Sequence, residues 1–477
     1  MKKILRPILC GGVLAALLCT PSLAAEQGDF SLLVNGEPVA FTDAAPVLKD
    51  GRSFLPVATT FQALGFAQED IVWNGETQSV TASKDGTTIS LTVGDSAVTW
   101  TGPSWSQTSE DGTSGSAGGS GGIAYLDAAP YIDPATNRTY IPVGLVADIL
   151  GCRVAWDGAT STVIIDDVDA ILAENTETYE RMDQYLDYAR KYSQGNYQVE
   201  GSYLLTSAPG EMESGAEIIH TVGGGYSMVT NQTAMQFAMD MSIGGTIMGA
   251  PIAPTDMNLD MRADLDTGML YLYFQSEDLE QLMNNNVQVN GESVEFQIPD
   301  QWYSLDMKAV YDEAYGPGFY EELIALSTAS QEAAFAQTLE ELLKSDTLTL
   351  TSTATTSDYL EALNQLLGDS HFQKSGSTYT STLEQDGVTI LFHLYTSGGQ
   401  VNGYGMEMTA SETTGMEMTM TMEMKGDDMS LLMEMAGMTM EMDGTYRPSS
   451  TAPETEPPAG ATVVDLWELL TTPVSEL

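Results

Sequence analysis

The segment from Gly415 to Gly444, GMEMTMTMEMKGDDMSLLMEMAGMTMEMDG, places methionine at every second position along three successive stretches. Side chains of a β-strand point alternately to the two faces of its sheet, so this period of two predicts strands whose methionines share one face. Threonine and glutamate would then occupy the other face. Gly426 and the Ala436-Gly437 pair mark turns between the stretches. The sequence therefore predicts three neighbouring strands with one continuous methionine face.

Two earlier stretches of the C-terminal half alternate in the same way, around Met235 to Ile243 and Met257 to Leu265. Such alternation is typical of antiparallel strands with one face buried. We regard the methionines of these stretches as candidates for lining an apolar ligand site: Met235, Met239, Met257, Met261, Met416, Met418, Met420, Met422, Met424, Met433, Met435, Met438, Met440 and Met442.

The methionines have two chemical interpretations. Thioethers suit Cu(I), and paired Met-x-Met groups could supply them. Methionine also fills irregular apolar surfaces, because its side chain is flexible and polarisable. No cysteine lies near the segment and His393 belongs to a different apolar strand, so we prefer packing or a ligand cavity and predict no metal and no cofactor. A soft ligand-binding surface and a drift in composition explain the choice of methionine over valine about equally well.

The N-terminal region contains an internal duplication. The segment DAAPVLKDGRSFLPVATTFQALGFAQEDIVWNGETQSVTA, from Asp43, recurs as DAAPYIDPATNRTYIPVGLVADILGCRVAWDGATSTVIID, from Asp127. Each unit predicts a short strand, a proline at the first turn of a helix and a glycine after that helix. A hairpin with an Asn-Gly or Asp-Gly turn follows a tryptophan.

The pattern G-R-x-[FY]-[LI]-P-V…L-G…[VA]-W-[DN]-G resembles the copper amine oxidase N-terminal-like, or stalk, domain over about residues 31–168. In that family the unit is a β-rich, non-catalytic appendage, and the resemblance implies the same here. Amine oxidation itself is not expected. Asn196-Tyr197 is followed by Gln198 and not by an acidic residue, and the three histidines are scattered: His220, His371 and His393.

Residues 1–25 have the features of a secretory signal peptide, with a basic start, an apolar run from Ile8 to Cys19 and a Ser22-x-Ala24 cleavage site. No later segment approaches the roughly 20 apolar residues of a spanning helix. We therefore expect an exported protein, secreted or associated with the cell envelope, with no transmembrane segment after signal cleavage.

Removal of the signal peptide would take away three basic residues and leave 14 Lys and Arg against 67 Asp and Glu, a net charge of −53. Such an acidic surface repels phosphate backbones, so nucleic acid is not an expected partner. Cys152 alone would remain, which excludes an intramolecular disulfide framework.

These patterns together predict an α+β, mainly antiparallel β protein: a small stalk domain with two repeats, then a large curved antiparallel sheet, or half-barrel, packed on helices. The predicted segments are a signal peptide at 1–25, the stalk domain at 26–168 with a flexible Gly/Ser loop at 101–122, a connecting helix at 169–195, a curved sheet domain at 196–447 with a helical insert at about 307–367, and a Pro-rich connector with a short C-terminal helix at 448–477.

The order of elements in residues 196–470 is similar to the lipoprotein-carrier (LolA-like) class of half-barrels. In that class a curved sheet closes over helices and leaves an apolar cavity for acyl chains. The resemblance implies a lipid or lipoprotein ligand for this chain. A β-sheet core packed solid, without a cavity, stays the alternative.

No motif of catalysis stands out: G-x-S-x-G occurs only as Gly118 to Gly122 within the Gly/Ser loop and not as a strand-to-helix elbow, and the chain lacks H-E-x-x-H and P-loop signatures. We therefore predict a non-enzyme: an exported envelope protein whose stalk presents a β domain that binds a lipid, acyl chain or lipoprotein. Two alternatives remain open. One is a structural or adhesive surface protein whose stalk binds cell-wall polymer, and the other is Cu(I) binding by methionine.

Overall fold

The computed structural model describes residues 31–49, 51–102, 122–144, 150–192, 195–207, 210–211, 217–286, 288–289, 292–293, 297–321, 323–324, 334–345, 348–385, 387–410 and 418–471. The predicted signal peptide, most of the predicted Gly/Ser loop and Met416 lie outside the described residues.

Thirteen strands, two α-helices and a 3-10 helix at Gln68–Asp70 are described before residue 176. The strands are β1 Ser31–Val34, β2 Glu37–Pro38, β3 Val47–Lys49, β4 Arg52–Pro56, β5 Ile71–Asn74, β6 Ser79–Lys84, β7 Thr87–Thr92, β8 Ala97–Thr101, β9 Gly122–Tyr125, β10 Tyr131–Asp133, β11 Arg138–Pro142, β12 Arg153–Asp157 and β13 Thr162–Asp166. The helices are α1 Val57–Ala63 and α2 Val168–Glu174.

From residue 177 onward the described helices are α3 Glu180–Arg190, α4 Glu277–Asn286, α5 Met307–Tyr315, α6 Phe335–Lys344, α7 Thr356–Leu367 and α8 Leu466–Thr471. The described strands are β14 Tyr197–Thr206, β15 Gly210–Glu211, β16 Glu217–Thr230, β17 Ala234–Ile247, β18 Ala250–Asp264, β19 Met269–Gln275, β20 Gln288–Val289, β21 Glu292–Ser293, β22 Trp302–Asp306, β23 Gln373–Ser375, β24 Thr378–Gln385, β25 Val388–Ser397, β26 Gln400–Ala410, β27 Met418–Lys425, β28 Asp428–Met435, β29 Met438–Pro448 and β30 Val463–Asp465.

This architecture confirms the predicted fold class, α+β with mainly antiparallel sheets. Small sheets occupy the N-terminal part, and one large curved sheet dominates the C-terminal part. The chain forms two compact units: unit 1 contains residues 1–176 and 339–362, and unit 2 contains residues 177–338 and 363–477.

The two sequence repeats of unit 1 meet through equivalent strands. Strand β4 pairs antiparallel with β11, so that Leu55 lies opposite Ile141. These two residues occupy the same position in their repeats, and both are fully buried. An antiparallel pair in which equivalent residues face each other has a local two-fold axis, here between Leu55 and Ile141. The duplication therefore folds as an internal pseudo-dimer.

Ion pairs repeat this symmetry at the periphery. Arg52 of the first repeat contacts Asp127 of the second, with Nε and Oδ2 2.5 Å apart, and Arg138 of the second repeat contacts Asp43 of the first. All four side chains are close to half-exposed or more, and exposed ion pairs contribute little to stability. The apolar contact on the axis, and not these pairs, holds the repeats together.

A distant segment of the chain adds to unit 1. The Arg153 guanidinium donates to the carbonyl oxygens of Leu343 and Leu348, at 3.0 and 2.8 Å. Asp157 accepts hydrogen bonds from the backbone N–H and the hydroxyl of Ser352. Residues 339–362 therefore bind the second repeat through specific polar contacts, although about 170 residues of other structure separate them from it in the sequence.

The start of α7 provides a further contact of this kind. The buried carboxylate of Asp166 accepts a hydrogen bond from the backbone N–H of Thr356, with N and Oδ2 3.0 Å apart. Thr356 is the first residue of the helix, where backbone N–H groups have no partner within the helix and a carboxylate is favourable. Asp166, at the end of β13, thus caps a helix encoded almost 200 residues later.

In unit 2 strand β14 lies at the centre of the large sheet. It pairs along its whole length with β29 on one side and with β16 on the other. From there the strands continue as β16-β17-β18-β19-β22-β30 in one direction and as β29-β28-β27-β26-β25-β24-β23 in the other. All of these neighbours are antiparallel except β22 and β30, and the latter leads directly into α8.

Helix α3 covers one end of the sheet in unit 2. The buried ring of Tyr185 meets the rings of Phe392 and Tyr404 edge to face, with centroids 6.0 and 5.3 Å apart. The hydroxyl of Tyr188 donates to the carbonyl oxygen of Gly426, in the turn between β27 and β28, at 2.7 Å. Aromatic packing and this hydrogen bond fix the helix over the turn end of strands β26 to β28.

Truncation on the pseudo-two-fold axis tests the internal pseudo-dimer. Leu55→Ala and Ile141→Ala should each lower the free energy of unfolding of unit 1 by about 2–5 kcal/mol, since each removes a fully buried side chain and leaves a cavity. Urea denaturation followed by tryptophan fluorescence measures the loss. Leu48→Ala is the matched control, because Leu48 is 62% exposed and should change stability by about 0.5 kcal/mol or less. Equal effects of Leu55→Ala and Leu48→Ala would contradict the assignment of the core.

The contact between Asp157 and Ser352 predicts a pH dependence. Burial pushes the pKa of Asp157 upward, but the hydrogen bonds from Ser352, Thr160 and Ala159 outweigh it and lower the pKa to about 2. A carboxyl whose pKa is lower in the folded state stabilises the protein above the unfolded value, near 3.8, and loses that contribution as the pH falls toward 2. Wild type should therefore exceed Asp157→Asn in stability at pH 6, and the difference should shrink between pH 4 and pH 2. The urea midpoints of both proteins measure it, and a difference that stays constant over this range would refute the contact.

Candidate functional site

The methionine strands pair in a register that places their sulfur-bearing side chains side by side. Met420 of β27 lies opposite Met408 of β26 on one side and Met433 of β28 on the other, and Met433 lies opposite Met440 of β29. Directly opposed residues of an antiparallel pair point to the same face. Four methionines from four neighbouring strands therefore form one row across the sheet.

Parallel rows flank this one. We define the methionine face by its members on strands β26 to β29: Met406, Met408, Met418, Met420, Met422, Met424, Met429, Leu431, Met433, Met435, Met438, Met440 and Met442. Beyond β29 the same rows continue through β14 and β16, where Met440 lies opposite Leu205 and Leu205 opposite Val222. The apolar face thus extends without a break into the other half of the sheet.

Burial changes along the strands of this face. Met422 and Met424, toward the end that α3 covers, are buried, as are Met406 and Met442. Met418 and Met420, further from the helix, are only partly buried, and Met438 is 38% exposed. The methionine face therefore has a more closed end, where Met429 and Leu431 of β28 are still partly buried, and a partly accessible end, made up of Met408, Met418, Met420, Met433, Met435, Met438 and Met440.

The four candidate methionines of β17 and β18 lie on the same face and divide into two pairs. Met235 and Met261 pack against a core cluster that contains Ala263 and Met307, at the start of α5. Met239 lies opposite the buried Tyr226, and Met257 lies opposite Met241. Both are partly buried. The first pair contributes to the core beneath α5, and the second extends the partly accessible part of the face.

The prediction from sequence omitted three methionines of the methionine face. Met406 and Met408 lie on β26 and Met429 on β28, and all three follow the same alternation in the sequence, GMEMT and DMSLLM. The alternation of the omitted residues could therefore be read from the sequence. The pairing of β26 with β27 could not, because it depends on the tertiary structure.

The opposite face of the same strands is polar and acidic. Glu407, Glu434, Glu441 and Asp443 are exposed there, between the methionine positions. By contrast, the methionine face and its continuation on β14, β16, β17 and β18 contain no carboxylate, ammonium or guanidinium group in the paired positions. Charge is therefore confined to the opposite face, which also carries the exposed Leu204 and Leu432 on either side of Glu441.

His393 belongs to the polar face. Its Nδ1 lies 2.9 Å from the Thr380 hydroxyl and its Nε2 lies 3.3 Å from a Glu407 carboxylate oxygen. Its neighbour Phe392 lies opposite Met406 and points to the methionine face. The histidine and the thioethers are therefore on opposite sides of the sheet and cannot share a metal ion. Among the described residues, no group of three or more His, Cys, Asp and Glu side chains converges as a metal site.

The free cysteine of the described residues does not belong to the methionine face. Cys152 is buried in unit 1, and burial raises the pKa of its thiol to about 12. A thiol with such a pKa is almost fully protonated near neutral pH and makes a poor nucleophile. No helix of the described residues is long and apolar enough to cross a membrane.

Comparisons with known proteins bear on the two parts of the chain unequally. Residues 33–165 match the family model of the copper amine oxidase N-terminal domain. This match confirms the resemblance that the repeats predicted and assigns a non-catalytic type of domain to the N-terminal region. A comparison with curated proteins found no match.

Among solved structures, a beta-barrel-like protein of a domain of unknown function from Brucella abortus is 11% identical to this chain. The alignment covers 53% of this chain and 98% of that chain, with a TM-score of 0.19. A likeness at this level carries no argument about fold or function. The resemblance of unit 2 to the lipoprotein carriers stays a prediction.

Oxidation measures how accessible the methionine face is. Hydrogen peroxide converts accessible methionines to sulfoxides, so Met438 and Met420 should oxidise several-fold faster than the buried Met422 and Met424. Peptide mass spectrometry after a time course gives the rate at each position. Met248, which is 76% exposed, is the internal reference for full accessibility. If Met422 and Met424 reacted as fast as Met248, the closed end of the face would not exist.

Proposed function

We propose that this chain is an exported cell-envelope protein whose stalk domain presents unit 2, and that unit 2 binds the acyl chain of a lipid or lipoprotein on the partly accessible end of the methionine face. The observation that carries this proposal is a continuous, uncharged row of thioethers across strands β26 to β29 that is only partly buried. A core of the same size would be closed throughout. On this face only Met406, Met422, Met424 and Met442 are buried among the described residues.

The chemistry of the face favours a hydrocarbon ligand. Acyl chains offer no hydrogen-bonding groups and adopt many shapes, so they require an apolar surface that can adapt. Methionine provides this, because its unbranched thioether moves between rotamers at little cost and is highly polarisable. Each buried methylene contributes about 0.8 kcal/mol, so a chain of ten methylenes gains roughly 8 kcal/mol before the entropy of binding is subtracted.

Charge also restricts the ligand. The acidic polar face and the net charge of −50 repel anionic headgroups and anionic membranes. Recognition would therefore depend on the acyl chain, and a neutral or cationic headgroup would be tolerated. We further propose that the whole protein acts by binding and not by catalysis, in keeping with the non-catalytic type of its N-terminal domain.

Adjacent residues on opposite faces of β27 allow a matched test. Met420→Glu places a charge on the methionine face and should weaken the binding of a fluorescent fatty acid at least about tenfold, since a buried carboxylate must be desolvated. Thr421→Glu adds the same charge one residue away on the polar face and should leave binding almost unchanged. Fluorescence titration of both variants and wild type measures the affinities, and circular dichroism confirms that each variant is folded.

Native mass spectrometry after mild purification and a leucine variant complete this test. Replacing Met420, Met433 and Met440 with leucine keeps the face apolar and removes the sulfurs, so acyl-chain binding should persist. If wild type did not bind the fluorescent fatty acid and native mass spectrometry of the purified protein showed no bound lipid, unit 2 would instead be a structural or adhesive domain without a ligand. If wild type bound Cu(I) and the leucine variant did not, the metal interpretation would replace the lipid one.

A further inference from the structure

The five-stranded sheet of unit 1, in the order β5-β6-β7-β8-β9, has two faces of different chemistry. Its inner face packs into the core through buried aliphatic side chains: Val80, Ala82, Ile89, Leu91 and Val98. Its outer face contains a row of residues paired from strand to strand across the sheet. In strand order these are Val72, Thr81, Ser90, Thr99 and Ile123.

We call the outer surface of this sheet the hydroxyl face. Eight of its residues are serine or threonine: Ser79, Thr81, Ser83, Thr88, Ser90, Thr92, Thr99 and Thr101. The other outward positions are Val72, Asn74, Ala97, Ile123 and Tyr125. None of these thirteen residues is ionisable near neutral pH. The chain contains 84 charged residues among 477, so an exposed face of five strands without charge is unusual for this protein.

Apolar side chains border the hydroxyl face at both edges of the sheet. Val72 of β5 is 55% exposed at one edge, and at the other Ile123 and Tyr125 of β9 are 59% and 76% exposed. Single exposed apolar residues such as Val72 are common on protein surfaces, whereas Ile123 and Tyr125, which are neighbours on this face of β9, form a small apolar patch. An aromatic ring with an accessible face, as in Tyr125, can stack on another flat or weakly polar surface.

We propose that the hydroxyl face binds an uncharged polysaccharide. Hydroxyl groups repeat about every 4.8 Å across the strands and about every 6.8 Å along them, as the geometry of a sheet requires. Each can both donate and accept a hydrogen bond, directly or through water, which suits a polymer whose own groups are hydroxyls. The C–H faces of sugar rings would contact Tyr125, Ile123 and Val72 at the rims.

The absence of charged residues on the hydroxyl face favours a neutral polysaccharide over other partners. A cationic partner would find no carboxylate on the face, and an anionic polymer would be repelled by the acidic remainder of the chain. A second copy of the chain would bring two molecules of net charge −50 together, and it would bury many hydroxyl groups whose hydrogen-bonding requirements a facing copy does not meet regularly. A neutral, hydroxyl-rich polymer has neither disadvantage.

This site is independent of the proposed lipid function. It lies in unit 1, whereas the methionine face lies in unit 2, and their ligands differ in chemistry. Loss of polysaccharide binding would therefore leave acyl-chain binding intact, and each can fail alone.

Co-sedimentation of the purified full chain with three insoluble neutral polymers, chitin, cellulose and starch granules, tests the proposal. We expect the chain to sediment with at least one of them and to bind equally, within about twofold, at 0.1 and 1 M NaCl, since no ion pairs contribute. The double variant Ser90→Glu with Thr99→Glu should lose at least about tenfold in binding. The exchange Ser90→Thr with Thr99→Ser keeps both hydroxyl groups and should retain binding.

The matched control is Ala58→Glu with Gln62→Glu, which adds the same charge to the exposed side of α1 in the same unit. Thermal unfolding of each variant, followed by circular dichroism, ensures that folded proteins are compared. Failure to bind any of the three polymers would overturn the proposal, as would equal losses in the two glutamate variants. Sedimentation velocity covers the remaining case: a dimer of wild type that the Ser90→Glu and Thr99→Glu variant abolishes would identify the face as a self-association surface instead.

Discussion

In-register antiparallel pairing is the constraint on which the large sheet depends. With side chains alternating between two faces, a slip of one residue between β27 and β28 would expose a whole row of methionines and bury glutamates in their place. Cross-strand neighbours such as Met420 and Met433 hold the register because each fills the apolar surface beside the other. The turn at Ala436-Gly437, where both residues have positive φ, fixes the register of β28 and β29 geometrically.

The same separation of chemistry explains why the sheet can have both a core and an accessible apolar surface. Tyr185 and Tyr188 close one end, where Phe392 and Tyr404 receive them, and burial raises the pKa of the Tyr404 phenol, which therefore stays neutral. Toward the other end the face consists of methionines in place of aromatic residues, and these side chains are only partly buried. A gradient from rigid aromatic core to flexible thioether surface within one set of strands suits a protein that must be stable and still adapt to a ligand.

In unit 1 the main structural feature is the contact between two similar repeats. Symmetry lets one set of contacts serve twice, with Leu55 and Ile141 on the axis and the two Arg–Asp pairs at the periphery. Segment 339–362 breaks that symmetry, because it binds Arg153, Asp157 and Asp166 of the second repeat, and its Ser357 hydroxyl also donates to the carbonyl oxygen of Asn35. Carboxylates that accept several backbone hydrogen bonds are costly to bury without them. These contacts therefore specify where the segment docks on unit 1 and do more than add surface area.

Much of the local structure of this protein could be predicted from the sequence. Alternation of methionine with threonine and glutamate predicted the strands and their apolar face, because strand periodicity is a property of each local segment. The duplication predicted a repeated strand, helix and hairpin, and the comparison with known families confirmed the type of domain. The sequence even contained the pattern of Met406 and Met408, which prediction passed over.

Pairing and coverage could not be derived in this way, because they depend on residues far apart in the chain. Long-range contacts that no local period encodes join β14 to β29 and β16. Such contacts also place α3 at one end of the methionine face and residues 339–362 in unit 1. The sequence by itself determined which side chains share a face. Only the tertiary structure decided which part of each face is covered, since burial depends on what the rest of the chain places against it.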